Sequence, residues 1–219
     1  MNPPEASSIF AAVPVKDLFG TKSRLAPLLD PGSRAGLTLY MMKRVISVLR
    51  RGGISEGNLC VVSPDRLVLQ TAAEAGAVPL AQSSTGLNPA LDEARQWAIS
   101  GGASSLLVLP ADLPLLTADD VEGLLATGEE ASVAISSDAS GTGTNALLLR
   151  PPGAMPFLFG SGSYRAHLEA ARQRALEVRE CELANVSFDI DTIEDLSKLD
   201  ISGGSRAGNP SFSWGMGRA

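Results

Sequence analysis

Leu106-Leu107-Val108-Leu109-Pro110-Ala111-Asp112-Leu113-Pro114-Leu115-Leu116 is the stretch on which the reading of the fold turns. Four consecutive apolar residues, 106–109, predict a strand buried on both faces, the environment of a parallel strand between two helix layers. Pro110 ends the run. Pro114 lacks an N–H and steers Leu113 away from helix, so the turn carrying Asp112 is expected to be stiff and extended. A carboxylate at the C-terminal edge of a central parallel strand lies where open α/β sheets bind ligands. Asp112 could equally do no more than cap a turn, and the flanking chain has to decide.

On the N-terminal side, Ile9 to Val15 predicts a first strand stopped by Pro14. A loop from Lys16 to Leu25 follows, and Asp30-Pro31-Gly32-Ser33 opens a helix to about Arg51, with Leu37, Met41, Val45 and Val48 on one face and Gly52-Gly53 as its stop. Leu59 to Val62 is a second strand. Ser63-Pro64-Asp65 reads as a cap with proline at the first helical position, opening a helix to about Gly76. A short strand, Val78 to Leu80, precedes a helix opened by Asn88-Pro89 and closed by Gly101-Gly102. On the C-terminal side, Thr117 and Asp120 make a capping-box start to a helix ending near Gly128. Strands at 133–136 and 145–149 flank a glycine-rich loop, and a helix follows Phe159 to Ser163 and runs through Arg174. Strands are expected at 176–182 and 186–190, then a last helix at 193–199 and a disordered tail at 202–219 rich in glycine and serine. The alternation of strand and helix over the first 130 residues predicts an α/β fold with a mostly parallel sheet, one later strand joining antiparallel, and a single domain over 1–201.

The 219 residues are 44% hydrophobic and 19% charged, enough apolar material for a substantial core. Net charge is −6, and the longest basic blocks are the pairs Lys43-Arg44 and Arg50-Arg51, which argues against nucleic acid as a partner. No apolar run approaches the roughly 18 residues of a membrane span. No secretory signal is evident, and Cys60 and Cys181 are expected as reduced thiols, so the expected location is the cytoplasm.

Four loops follow predicted strands and would crowd one sheet edge. The first carries Lys16, Lys22 and Arg24, three cations within nine residues, which suit a polyphosphate or simply a solvated loop. The sequence GxxxxGK[ST] is missing, as is the dinucleotide fingerprint after strand one, so neither of those phosphate-binding schemes applies. The second loop, Gly86-Leu87-Asn88, could hold a base or phosphate at a helix start, or Asn88 could be a plain cap. The third holds Asp112. The fourth is Asp189-Ile190-Asp191-Thr192, where two carboxylates spaced i, i+2 on a strand would share a face and could meet one hard cation such as Mg²⁺; alternatively Asp191 or Thr192 caps the final helix. The turns Gly141-Thr142-Gly143-Thr144-Asn145 and Gly160-Ser161-Gly162-Ser163 offer backbone N–H groups and hydroxyls to an anion. His167, the sole histidine, lies four residues into a helix and is expected in a structural hydrogen bond. Neither a Gly-x-Ser-x-Gly elbow nor a Cys/His pair is present, so nucleophilic catalysis has little support.

These motifs together, VPVK (13–16), KSRL (22–25), SPD (63–65), GLN-A (86–90), LPADLP (109–114), GTGTN (141–145), FG–GS (159–163) and FDIDT–EDL (188–196), resemble the guanylyltransferases of coenzyme F-420 biosynthesis over about residues 9–200. The resemblance implies a glycosyltransferase-A-like (nucleotide-diphospho-sugar transferase) three-layer sandwich. It implies transfer of GMP from GTP to 2-phospho-L-lactate or phosphoenolpyruvate, with pyrophosphate released and Mg²⁺ as cofactor. Carried over by position, it implies that Lys16, Lys22, Arg24 and Asp112 are catalytic and that Lys16, Lys22, Arg24, Ser63, Gly86, Leu87 and Asn88 meet the nucleotide. Thr144, Gly160 and Ser163 would hold the acceptor. The metal would lie on Asp112 with Asp189 or Asp191, the latter favoured. The product would be handed to the next transferase of the pathway. Other readings are the same chemistry on 3-phospho-D-glycerate, a molybdenum-cofactor type nucleotidyltransferase (whose glycine-rich opening loop this chain lacks), and a nucleotide-binding regulator without catalysis.

Overall fold

In a computed structural model of the chain, residues 8–190, 192–195 and 197 are described. Seven strands form one sheet: β1 (Ile9–Pro14), β2 (Leu59–Ser63), β3 (Val78–Ala81), β4 (Ser105–Val108), β5 (Val133–Ser137), β6 (Thr144–Leu149) and β7 (Val178–Glu180). Their order is β3-β2-β1-β4-β6-β5-β7, and every pairing is parallel except those of β6 with β4 and β5. The antiparallel strand has a simple cause. Only six residues, 138–143, separate β5 from β6, too few for a parallel crossover.

Helices cover both faces: α1 (Pro31–Arg51), α2 (Arg66–Glu74), α3 (Leu87–Ser100), α4 (Ala118–Glu130), α5 (Ser163–Gln173) and the short α6 (Ala184–Ser187). Strand alternation divides the core. Ala11 and Val13 of β1 face α1, α2 and α4 through Met42, Val45, Leu49, Val68 and Leu124. Phe10 and Ala12 face α3 and α5 through Leu91, Ala94, Ala98 and Ala171. Each fully buried Leu or Val contributes roughly 1.5–3 kcal/mol relative to exposure, so these two clusters dominate stability.

The helix starts at α1 and α4 are as expected: Asp30 accepts the Ser33 N–H at 3.1 Å, and Thr117 and Asp120 cap each other reciprocally. Five expectations need correction. The cap of α2 is Asp65, not Ser63, because its carboxylate accepts the N–H groups of Leu67 and Val68 and leaves Pro64 outside the helix. The start of α3 is Gly86, whose φ of +105° suits glycine, and Asn88 lies inside the first turn. Gly128 does not end α4, which runs on to Glu130; a Cβ there would come within 1.9 Å of Leu148 Cδ2, so glycine permits the close approach of helix to sheet. The strand expected at 186–190 is the helical turn α6 followed by extended chain: β6 already has β4 and β5 on its two sides, so this segment packs on the sheet face through buried Val186, whose carbonyl accepts the Asn145 amide at 3.0 Å. The strand expected at 176–182 shortens to the three residues of β7. The tail 202–219 and most of the expected helix 193–199 lie outside the described residues. Cys60 is buried and Cys181 half-buried, both as free thiols.

Candidate active site

The C-terminal ends of β1, β2 and β4 open into a cleft of about 700 Å³. Lys16 and Arg24 line one wall, Gly86 and Leu87 another, and Lys22 and Asp112 the floor. Three of the four loops expected to converge on this edge line the cleft, and the fourth joins them through Ile190, which hydrogen-bonds Lys22 and Asp112.

The cation loop is held from three directions. Asp65 bridges it to α2 by accepting the Leu18 N–H at 3.1 Å with the oxygen not used for the helix cap. From α1, Arg34 donates to the Thr21 and Leu29 carbonyls at 3.2 and 3.0 Å, and the Thr38 and Thr21 hydroxyls meet at 3.0 Å. Leu25 is buried against Leu37, Met41 and Ile190 in a small apolar cluster of its own. These anchors fix Lys22 in a left-handed backbone conformation, φ 48°, which turns its side chain inward while Lys16 and Arg24 stay exposed.

Lys22 Nζ forms an ion pair with Asp112 Oδ2 and donates to the Ile190 carbonyl at 2.5 Å. The Lys22 side chain is almost fully buried, at 7% exposure, against 24% for that of Asp112. Removing one partner of so desolvated a pair strands the other, which is costly. The Asp112 turn is clamped by Arg44 of α1, whose guanidinium donates to the Pro114 and Leu116 carbonyls at 2.6 and 3.3 Å. The Ile190 N–H returns to the Asp112 carbonyl at 3.3 Å and so ties the fourth loop to the third.

The second loop is set by Glu93 of α3, which accepts the Ser83 and Ser84 N–H groups and both hydroxyls. The Ser84 hydroxyl bond above all, with the Ser83 N–H, holds its carboxyl down to about 2, so the anchor stays ionised. Gln82 closes the loop by donating to the Gly86 carbonyl at 3.1 Å. Ser63 is buried, and its hydroxyl accepts the Asp65 N–H at 3.1 Å; its neighbours Val62 and Pro64 line the cleft. Asn88 is engaged elsewhere. Its amide accepts the Phe159 N–H at 2.8 Å and donates to the Phe159 carbonyl at 3.1 Å.

Thr144, Gly160 and Ser163 do not line the cleft and gather instead around the first turn of α5. The Gly160 carbonyl accepts the Ser163 N–H at 3.2 Å, and Thr142 accepts that of Tyr164 at 3.1 Å. Buried Thr144 meets His167, one turn beyond Ser163, at 3.0 Å. Burial pushes the His167 imidazole down to about 4, so it is neutral at physiological pH. The Asn88–Phe159 bonds bind this second group to the helix that opens beside the cleft.

Asp189 stands on the extended chain after α6, with Asn145 Nδ2 at 3.4 Å from its Oδ1. Asp191 lies outside the described residues. Thr192 caps the turn that follows by reciprocal bonds with Asp195. Among the described residues no group of three or more His, Cys, Asp or Glu forms a metal cage. The residues nevertheless suit a hard cation, which takes one or two carboxylates: Asp112 uses only Oδ2 among the described residues, and hydrogen bonds carry the 189–190 segment to it. Sequence reasoning missed Arg44 and Arg34, and it placed Asn145 in an anion-binding turn, whereas its amide donates to the Val186 carbonyl and Asp189. The polar Asn145 inside the wholly buried strand β6 was the available signal.

A family model described as "Guanylyl transferase CofC like" matches residues 9–210. The chain belongs to this family. Among its relatives is a phosphoenolpyruvate guanylyltransferase of Rubrobacter xylanophilus, 54% identical over 198 residues and covering 90% of this chain and 96% of that one. A 2-phospho-L-lactate guanylyltransferase of Methanothermobacter thermautotrophicus is 34% identical over 194 residues, covering 88% and 84%. The fold is shared with a Desulfovibrio desulfuricans G20 protein provisionally described as a nucleotide-diphospho-sugar transferase, with a TM-score of 0.74 at 21% identity over 91% of this chain and 89% of that one. No helix among the described residues is long and apolar enough to cross a membrane.

Proposed function

We propose that this member of the CofC-like family transfers GMP from GTP to phosphoenolpyruvate, releasing pyrophosphate, and so supplies an activated acid for coenzyme F-420 biosynthesis. The observation that carries the reading is the buried Lys22–Asp112 pair on the floor of a cleft walled by Lys16 and Arg24. A carboxylate and three cations converge there, with no histidine or cysteine lining the cleft. The 54% identity to a phosphoenolpyruvate guanylyltransferase favours that acceptor over 2-phospho-L-lactate and 3-phospho-D-glycerate.

The chemistry asks for this kind of site. A phosphate oxygen of the acceptor attacks the α-phosphorus of GTP, a new P–O bond forms, and the bond to the β-phosphate breaks with its electron pair leaving on pyrophosphate. The nucleophile is already anionic, so no general base is required. The difficulty is bringing two polyanions together, and catalysis rests on positioning and charge neutralisation. Lys16 and Arg24 face the triphosphate, the point charge and the planar fork serving different oxygens. Lys22 orients Asp112 and holds the Ile190 segment against it. Asp112, with Asp189 or Asp191, would hold Mg²⁺, which when bound supplies neutralisation of the phosphate charge. Thr144, Gly160 and Ser163 form the acceptor side, joined to the nucleotide side through Asn88. A hand-off of the reactive anhydride to the pathway's next transferase follows from its lability.

The test is pyrophosphate release from GTP and Mg²⁺ with each of the three acceptors, in the presence of the transferase that consumes the product. Turnover fastest with phosphoenolpyruvate is expected. Tight GTP binding without release on any acceptor would overturn the proposal in favour of a regulator.

A further inference from the structure

His167 is fully buried and makes two hydrogen bonds that together settle its protonation. Leu158 donates its backbone N–H to Nε2 at 2.9 Å, so Nε2 carries no proton. A neutral imidazole must then carry its proton on Nδ1, 3.0 Å from the Thr144 hydroxyl oxygen. That bond consumes a lone pair of Thr144 Oγ and forbids the hydroxyl from donating to the ring. Among the described residues the hydroxyl has no other partner, so its proton is directed away from His167. Ser163 stands on the same helix face as His167 at i, i+4 spacing, at the helix start that the acceptor turn feeds.

The chain leading into that turn is fixed by the same imidazole. His167 holds Leu158, Asn88 holds both polar groups of Phe159, and the Phe159 ring packs edge-on against His167 with centroids 4.9 Å apart. Arg95 of α3 secures the preceding residues by donating to the Met155 carbonyl at 3.0 Å and lying 3.9 Å from the centre of the Phe157 ring.

We infer that His167 is a positioning residue for the acceptor: its Nδ1–H locks the Thr144 hydroxyl as an outward donor to an oxyanion of the phosphorylated acid, while its bare Nε2 sets the backbone that leads into the Gly160–Ser163 turn. The inference rests on the proposed placement of the acceptor at Thr144 and assigns the orientation of its hydroxyl to a residue that never touches substrate.

Two measurements test it. In untagged protein His167 is the only histidine, so a ¹⁵N NMR spectrum of the imidazole reports it without assignment. The Nδ1–H tautomer is expected at neutral pH; the Nε2–H tautomer or a charged ring would overturn the inference, and this reading needs no variant to fold. The second is a kinetic cycle on Thr144→Val, His167→Gln and the double variant, with His167→Asn alongside. Glutamine can occupy the Nε2 position and accept from Leu158, whereas asparagine can place an N–H near the Nδ1 position. His167→Gln should raise the acceptor KM about tenfold with GTP KM and kcat within about twofold, since a hydrogen bond to a charged group is worth about that factor. His167→Asn should retain most of the acceptor affinity. The double variant should be no worse than Thr144→Val alone. Additive losses, or equal damage from Gln and Asn, would reduce His167 to a packing role. If Thr144→Val leaves the acceptor KM unchanged, the acceptor placement itself fails; if Thr144→Val raises it and His167→Gln does not, only the positioning role fails.

Discussion

The two sides of this site are built differently. The proposed nucleotide side is an open cleft at the C-terminal ends of three parallel strands, with charged side chains on its walls and an ion pair on its floor. The proposed acceptor side is compact and neutral: buried Thr144, Ser163 and His167 surround a helix start beside an antiparallel strand. On the first side, charged side chains stand on loops that the scaffold holds. On the second, backbone turns and hydroxyls are held by a buried polar network. Substitutions on the nucleotide side should therefore reduce turnover, and those on the acceptor side should shift affinity for one substrate.

The largest effect is expected at Asp112. Asp112→Ala should lower guanylyl transfer by about 10³-fold or more while GTP still binds, because it removes the carboxylate proposed to hold the metal and strands the buried Lys22 side chain. Turnover near that of the parent chain would remove Asp112 from the chemistry. Lys22→Ala should cost about 10²-fold in kcat/KM, since the Asp112 turn loses its partner and Ile190 its donor. A loss confined to GTP KM would instead make Lys22 a simple phosphate contact. On the other side, Ser163→Ala should raise acceptor KM about tenfold and leave GTP KM in place. An equal rise for both substrates would erase the division between the sides. The smallest effect on catalysis is expected far from either: Gly128→Ala should leave both KM values alone and lower stability by about 1–3 kcal/mol, read from the denaturation midpoint, because its methyl group has to displace Leu148. An unaltered midpoint would show that α4 can shift away from the sheet.

The same division separates what could be read from the sequence from what could not. The nucleotide side follows from local signals. A strand of four apolar residues, a proline-bracketed aspartate and a cation loop after strand one each point to the sheet edge, and topology brings them together. The acceptor side depends on long-range pairing. Asn88 looks like a helix cap, yet its amide pairs with Phe159, 71 residues away. Residues 186–190 have the apolar alternation of a strand, but Val186 and Ser187 close the turn α6, whose Val186 carbonyl accepts the Asn145 amide, and only 188–190 stay extended. Gly128 looks like a helix stop because glycine usually is one, whereas here it makes room for Leu148. Arg34 and Arg44, which clamp the cation loop and the Asp112 turn, are ordinary surface cations of α1 until the packing is known.

The most direct measurement follows the α-phosphate of GTP. With GTP labelled at that phosphorus, saturating Mg²⁺ and phosphoenolpyruvate, the parent chain should move the label into an acid-linked product as unlabelled pyrophosphate appears in equal amount, and Asp112→Ala should move none above background. Label that stays on free GTP or GMP with the parent chain, or transfer that survives in Asp112→Ala, would contradict a guanylyl-transfer centre at this cleft.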